Sequence, residues 1–195
     1  MVMCSNEKDL QNSKMTEEGF YKSIGRFPPA EQKERNRQSR EAKKLIKLPI
    51  TDWPEFEVKW DIHPNKQNLA FDGVSVEEFE DGFPDGLILA EVSLDELDSE
   101  LCRFNKRTPE EVWGVGSNQK AAKVLLNWAE GKKITPPMIR KTNGTNEICI
   151  GGGNHRLAVA RAKRENRIFI LIDPLELDFI SSRLSLRLVL ASHSA

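Results

Sequence analysis

Cysteine is scarce in this chain. Cys4, Cys102 and Cys149 are its three, and their positions match no metal-ligand spacing. An odd, sparse set is no disulfide framework and points to reduced thiols, as in a cytoplasmic protein. Long apolar runs are missing too: no stretch approaches the ~20 residues of a membrane-spanning helix. The first residues, with Ser5, Asn6, Glu7, Lys8 and Asp9, do not read as a signal peptide. Net charge is also small. With 29 Lys and Arg against 30 Asp and Glu, the formal charge is -1, so a nucleic-acid partner would have to be met by local basic patches. No internal repeat is visible, and neither G-x-x-x-x-G-K-[ST] nor G-x-G-x-x-G occurs.

What is present is a soluble composition, 38% hydrophobic and 30% charged over 195 residues, enough for one sizeable domain and an extension. Residues 1–47 are polar. From Ala30 to Lys47 they carry Lys33, Arg35, Arg37, Arg40, Lys43, Lys44 and Lys47 against Glu31, Glu34 and Glu41. Pro28-Pro29 marks a helix start, so this segment reads as a solvated helix or partly disordered arm, or as a basic arm for nucleic acid or an acidic partner. Residues 48–86 are turn-rich. Phe56, Val58, Trp60 and Ile62 alternate as a strand would, and Asp72-Gly73, Asp81-Gly82 and Asp85-Gly86 are turn signals. The acidic cluster Glu77, Glu78, Glu80, Asp81 and Asp85 reads as a solvated turn region, and His63 as a loop residue.

The compact part is expected over residues 87–195. Leu87–Val92 is a buried-type strand, and Ser93 caps a helix at Leu94. Thr108-Pro109-Glu110-Glu111 opens another helix. Ser117 caps a third, with Ala121, Val124, Leu125, Trp128 and Ala129 on one face and Gly131 closing it. Asn143-Gly144 is a hairpin turn into Ile148-Cys149-Ile150. Ile168–Asp173 is an apolar strand, and the alternating Leu184, Leu186, Leu188 and Leu190 fit a final strand or a short helix. Strands and helices in this order make an α+β domain, a mixed sheet with flanking helices, preceded by a helical or irregular extension.

The centre of that domain is Gly151-Gly152-Gly153-Asn154-His155-Arg156, placed between a strand and an Ala- and Arg-rich helix. Glycines permit positive φ and close approach of a ligand. The amides that open the helix, with its dipole, form an anion site. Two cationic or titratable side chains there oppose the dipole unless an anion compensates them, which marks the turn as functional.

Taken in order, Glu91 to Asp173 resembles the ParB/sulfiredoxin superfamily. The pieces are Val92-Ser93-Leu94-Asp95-Glu96-Leu97, Asn105–Glu111, Ile134–Ile139 and Gly153-Asn154-His155-Arg156-Leu157-Ala158-Val159-Ala160, the last being the most specific. The resemblance spans a little under half of the chain. It implies a ParB/sulfiredoxin-like fold that binds a nucleotide phosphate on this turn, with Asn105 and Arg107 closing the site from the opposite side. Sulfiredoxins carry cysteine where this chain has Asn154, and Cys149 on the strand would not replace it, so sulfinic-acid reduction is disfavoured. ParB partition proteins carry a glutamate and two arginines where Asn154, His155 and Arg156 stand, so an acidic metal ligand is missing. Too little chain follows Asp173 for a helix-turn-helix.

Within the superfamily the chain is most similar to the oncogenic-suppression (fertility-inhibition) proteins of conjugative plasmids, which combine ATPase and DNase activities. That implies an accessory protein of a plasmid or phage that interferes with DNA transfer and meets DNA, a nucleotide and a protein of the transfer system. Two mechanisms follow. In the first, Asn154, His155 and Arg156 are catalytic in a phosphate-ester hydrolase acting on ATP or DNA. Gly151, Gly152 and Gly153 hold phosphate, His155 is the general acid or base, and Arg156 neutralises developing charge. Magnesium is expected, with Glu147 and Asp173 as candidate ligands. In the second, the site binds without turnover and blocks a partner. Arg161, Lys163, Arg164 and Arg167, with the basic Ala30–Lys47 segment, would contact the DNA backbone.

Overall fold

The computed structural model describes residues 25–189, together with Thr16 and Tyr21. Cys4, Leu190 and most of the first 24 residues lie outside the described residues. The chain divides into two compact units, residues 1–38 and 39–195. Residues 48–86 therefore belong to the same unit as residues 87–195.

In the first unit, helix α1 begins after Pro28 and runs as Pro29–Leu45, ending in the second unit. Its basic residues are offset by acids one turn away: Arg35 pairs with Glu31 at 3.0 Å and Arg37 with Glu34 at 2.6 Å. Such pairs support an exposed helix by about 0.3–0.5 kcal/mol each. Arg35 also lies 3.6 Å from the Phe27 ring centroid. With Lys44 on Glu41 at 2.7 Å, three of the segment's seven Lys and Arg residues are paired with an acid in this way.

The second unit is built on a five-stranded sheet. Its strands are β1 (Ile88–Ser93), β2 (Met138–Lys141), β3 (Ile148–Gly152), β4 (Arg167–Ile172) and β5 (Arg187–Leu188), in the order β3-β2-β4-β1-β5. β2 and β4 are parallel and the other neighbours antiparallel, so the fold is mixed α+β. β4 takes the middle because it is apolar on both faces. Ile168, Ile170 and Ile172 enter the main core, whereas Leu171 enters a smaller one on the other face.

The main core packs the sheet against α3 (Leu94–Glu100), α4 (Asn118–Ala129), α5 (Asn154–Ala162) and α6 (Leu177–Ser181), through Leu97, Leu125, Trp128, Leu157 and Ile180. The smaller core is covered by Phe79 of α2 (Val76–Gly82) and by Phe71 and Phe83, three rings with centroids 5.2–6.2 Å apart.

Several local expectations change. Phe56, Val58, Trp60 and Ile62 form no strand. The segment's one β-type pairing among the described residues is an isolated bridge from Trp60 to Ile134. The alternation is nonetheless real, because Phe56, Val58 and Trp60 are half-buried while Glu57 and Lys59 are exposed. Phe56 stacks on Trp128 at 6.1 Å, Trp60 meets it edge-on at 5.2 Å, and the Trp128 indole donates to the Lys59 carbonyl at 2.9 Å. A period of two reports one buried face, and here the face is held by aromatic packing rather than by a ladder. The acidic cluster is largely helical, being most of α2, with Ser75 and Glu78 forming a capping box, so Asp81-Gly82 ends a helix instead of making a turn. Asp72-Gly73 and Asp85-Gly86 do turn, with φ of +77° and +67° at the glycines.

His63 caps a 3-10 segment, Pro64–Ala70. Ser117 precedes α4 without a side-chain capping bond. The tail makes both elements left open for it, α6 and then the two-residue β5 against β1. Among the described residues no helix is long and apolar enough to cross a membrane.

Trp128 is 1% exposed and holds two rings of the extended segment. Trp128→Ala is expected to cost about 3–5 kcal/mol, the range for buried aromatic truncation. Urea unfolding followed by circular dichroism measures it.

Candidate functional site

The site begins where β3 ends. Gly153, at φ +89°, turns the chain out of the sheet and is the N-cap of α5. The Asn154 and His155 amides that follow have no hydrogen-bond partner among the described residues. Beside them lies the turn after α3. Leu101 bridges Ile148 in parallel, and the Cys102 amide donates to the Ile148 carbonyl at 2.7 Å. Asn105 then locks the turn to both elements. Its Oδ1 accepts from the Ile150 amide at 3.0 Å and from Cys102 Sγ at 3.2 Å, and its Nδ2 donates to Asn154 Oδ1 at 3.1 Å.

These elements enclose a cleft of about 230 Å³ that brings together Phe104, Asn105, Arg107, Asn154, His155 and Arg161. That is smaller than the ~300–1,000 Å³ of a drug-sized pocket, so the cleft takes part of a ligand, such as one end of a nucleotide. Val115 and Gly116 form its other wall, with the His155 ring against them. Among the described residues, His155 Nε2 is out of solvent and without a hydrogen-bond partner. Burial, and then the Lys120 charge, push the His155 pKa below its ordinary value, against the opposing pull of Asp72 and the Val115 backbone. The uncharged form of the imidazole is therefore favoured at neutral pH. Asp72 itself is held below the usual carboxylate range by its hydrogen bond and ion pair with Lys120.

The glycines have a different task from the one expected. Gly151 and Gly152 belong to β3, and only Gly153 has positive φ. Ile139 pairs with Ile150 and Met138 with Gly152, leaving Gly151 as the extra residue of a β-bulge. A Cβ on Gly151 would lie 2.5 Å from Met138 Sδ, and one on Gly153 would lie 2.8 Å from Pro137 Cα. One on Gly152 would collide with the Ala70 carbonyl oxygen. What approaches these glycines is the protein's own chain, and the amides open to an anion are those of Asn154 and His155.

Arg156 is likewise committed elsewhere. Nη1 donates to the Thr135 and Pro136 carbonyls at 3.0 and 3.3 Å, and Nη2 to those of Leu69 and Ala70 at 2.6 and 3.5 Å. It does not line the cleft. The arginine that does line it, besides Arg161, is Arg107. Arg161, expected on a DNA-facing surface, is buried and bidentate with Asp98 at 2.5 and 2.7 Å. Removing one partner of such a pair costs about 3–5 kcal/mol, which marks it as part of the core. Lys163 and Arg164 are exposed, with Lys163 5.0 Å from the Phe56 ring centroid and Arg164 in a left-handed turn at φ +60°. With Arg161 withdrawn, the expected basic patch loses one of its four residues.

Glu147 and Asp173 do not line the cleft either. Glu147 is exposed on the hairpin and accepts from Thr145, while Asp173 caps the Pro174–Glu176 turn. Among the described residues no group of three or more His, Cys, Asp or Glu could hold a metal ion. No carboxylate lines the cleft, so its donors do not fit a magnesium ion held by protein side chains; an ion arriving with a nucleotide would be held by the phosphates. The donors do fit phosphate: two open amides, an arginine and an amide side chain.

Phe104, Val115, Gly116 and Asp98 were not foreseen as site residues. Val115–Gly116 reaches His155 from across the fold, and Asp98 and Arg161 are 63 residues apart, a pairing that no local pattern signals. Comparison with known proteins found no match among family models, curated proteins or solved structures.

Two outcomes follow. Gly152→Ala must displace the Ala70 backbone and is expected to destabilise by about 1–3 kcal/mol, read by denaturant unfolding. His155 has a folded-state pKa below its unfolded one, so its contribution to stability is complete above about pH 6.5 and is lost as pH falls through the folded value. The melting temperature should decline on acidification from pH 7 to pH 5, and less steeply in His155→Gln, which has no ring to protonate.

Proposed function

We propose that this protein is a ParB-like phosphate-ester hydrolase that binds a nucleotide, ATP by the resemblance, with its phosphates at the start of α5. One observation carries this reading: Asn105, Arg107, Asn154 and His155, the last with its pKa lowered by burial, line a single cleft at the start of α5. The amides and the positive end of the α5 dipole would hold a phosphate, with Arg107 matching its charge. The neutral imidazole would take a proton from the attacking water as general base. Asn105, bonded to Asn154, keeps the two walls in register. A phosphate of DNA would dock on the same groups, which is how ATPase and DNase activity share one site. The setting implied by the resemblance is the cytoplasm of a plasmid- or phage-bearing cell, where the protein interferes with conjugative DNA transfer by meeting DNA and a protein of the transfer system.

A second reading has its own support. With Arg156 engaged by four carbonyls and Arg161 paired with Asp98, the cleft's remaining cation among the described residues is the half-buried Arg107, which itself donates to the Lys106 carbonyl at 2.6 Å. That is a modest charge for stabilising a phosphoryl transition state and a sufficient one for binding. On this reading the protein is a nucleotide- or DNA-binding module that blocks its partner without turnover.

Phosphate release from ATP and nicking of supercoiled plasmid, both with magnesium, separate the two. For the hydrolase, His155→Gln should lose at least a hundredfold in rate, the size of a general-base contribution, and Arg107→Ala should lose both activities. Wild-type binding with no turnover selects the module. Wild type that neither binds nor cleaves ATP or DNA overturns both readings.

A further inference from the structure

Phe104 stands out among the apolar residues of the second unit: it is 69% exposed at the mouth of a polar cleft. The turn carrying it is not loose. The Asn105 and Lys106 amides both donate to the Cys102 carbonyl, at 2.9 and 3.2 Å. Lys106 Nζ donates to the Ser99 carbonyl at 2.8 Å, and the Asn105 side chain ties the turn to β3 and α5. The backbone is thus anchored on both sides of a large apolar ring that remains in water. Hydrophobic burial works against that placement, as Phe104 joins neither core cluster. The Arg103 guanidinium lies over the ring, 4.7 Å from its centroid, while the ring also borders the cleft.

A fixed, exposed aromatic backed by a guanidinium is a stacking platform for a flat, polarisable group. The adjoining polar groups, Asn105, Arg107, Asn154 and the α5 amides, suit phosphate and sugar hydroxyls. An aromatic ring next to such a set matches a ligand that is flat at one end and anionic at the other. We propose that Phe104, with Arg103 behind it, stacks on the base of a nucleoside triphosphate whose phosphates run toward Asn154 and His155. This rests on the phosphate site proposed above and adds the base-binding half of it. A free nucleotide suits the platform better than duplex DNA, because a paired base offers its faces to its neighbours in the stack. Asn154 Nδ2, which has no partner among the described residues, is placed to donate to the ribose or base.

Calorimetric titration of the full chain with ATP and with inorganic tripolyphosphate tests the proposal. ATP should bind the wild type roughly ten- to a hundredfold more tightly than tripolyphosphate, the ratio that one stacked base supplies. Phe104→Ala should erase that difference by weakening ATP alone, with tripolyphosphate affinity and melting temperature unchanged, and Phe104→Trp should restore it. Equal affinity of the wild type for the two ligands, or a preference for ATP that survives Phe104→Ala, overturns the stacking role while the phosphate site stands. If neither ligand binds, the phosphate site falls and this inference falls with it.

Discussion

Everything around the cleft depends on how Arg156 is held. Its two terminal nitrogens reach four backbone carbonyls, two at the end of the 3-10 segment Pro64–Ala70 and two in the approach to β2. A half-buried guanidinium needs such partners, since a donor withdrawn from water and left unsatisfied costs more than each bond returns. Burial lowers the Arg156 pKa, and the Asp72 charge opposes that effect. By joining segments 65 residues apart to the first turn of α5, one side chain sets where the turn-rich region packs. The glycines make that packing possible, because Ala70 and Pro137 approach Gly152 and Gly153 more closely than a side chain would allow.

This arrangement leaves the amides at the start of α5 open on the other side of the turn's chemistry. Of the pair His155–Arg156, the guanidinium is solvated by carbonyl dipoles, and burial together with the Lys120 charge favours the uncharged form of the imidazole. The conflict between positive charge and the helix dipole is therefore relieved within the protein, before any ligand is considered. What the cleft offers an anion is the dipole and the amides, with Arg107 from the facing turn. Asn105 is the hinge of that geometry, since one amide group bonds β3, the Cys102 thiol and Asn154 at once.

Much of the fold was legible from pattern. The apolar Ile168–Asp173 run, the Asn143-Gly144 turn and the Ser93 cap each record a local constraint that acts within a few residues. The meeting of Asn105 and Arg107 with Asn154 and His155 is of another kind: it joins residues 49 apart and was expected from the resemblance alone. The misreadings share one cause. Phe56–Ile62 alternates without pairing, Gly151 and Gly152 admit neighbouring chain rather than ligand, and Arg161 turns inward to Asp98. In each case the residue type was read correctly as special, and the partner that explains it lies far away in sequence.

Residue order alone therefore determined most strands and helices of residues 87–189, the strand–turn–helix at Gly153 and the polar character of its first turn. These follow from backbone sterics, capping and periodicity, which are local. Only the tertiary structure decided which cations face solvent, which glycines are packed and which histidine loses its charge. Those outcomes depend on burial and on partners brought together by the sheet order β3-β2-β4-β1-β5, and desolvation is a property of the whole assembly of neighbours, not of any one stretch of chain.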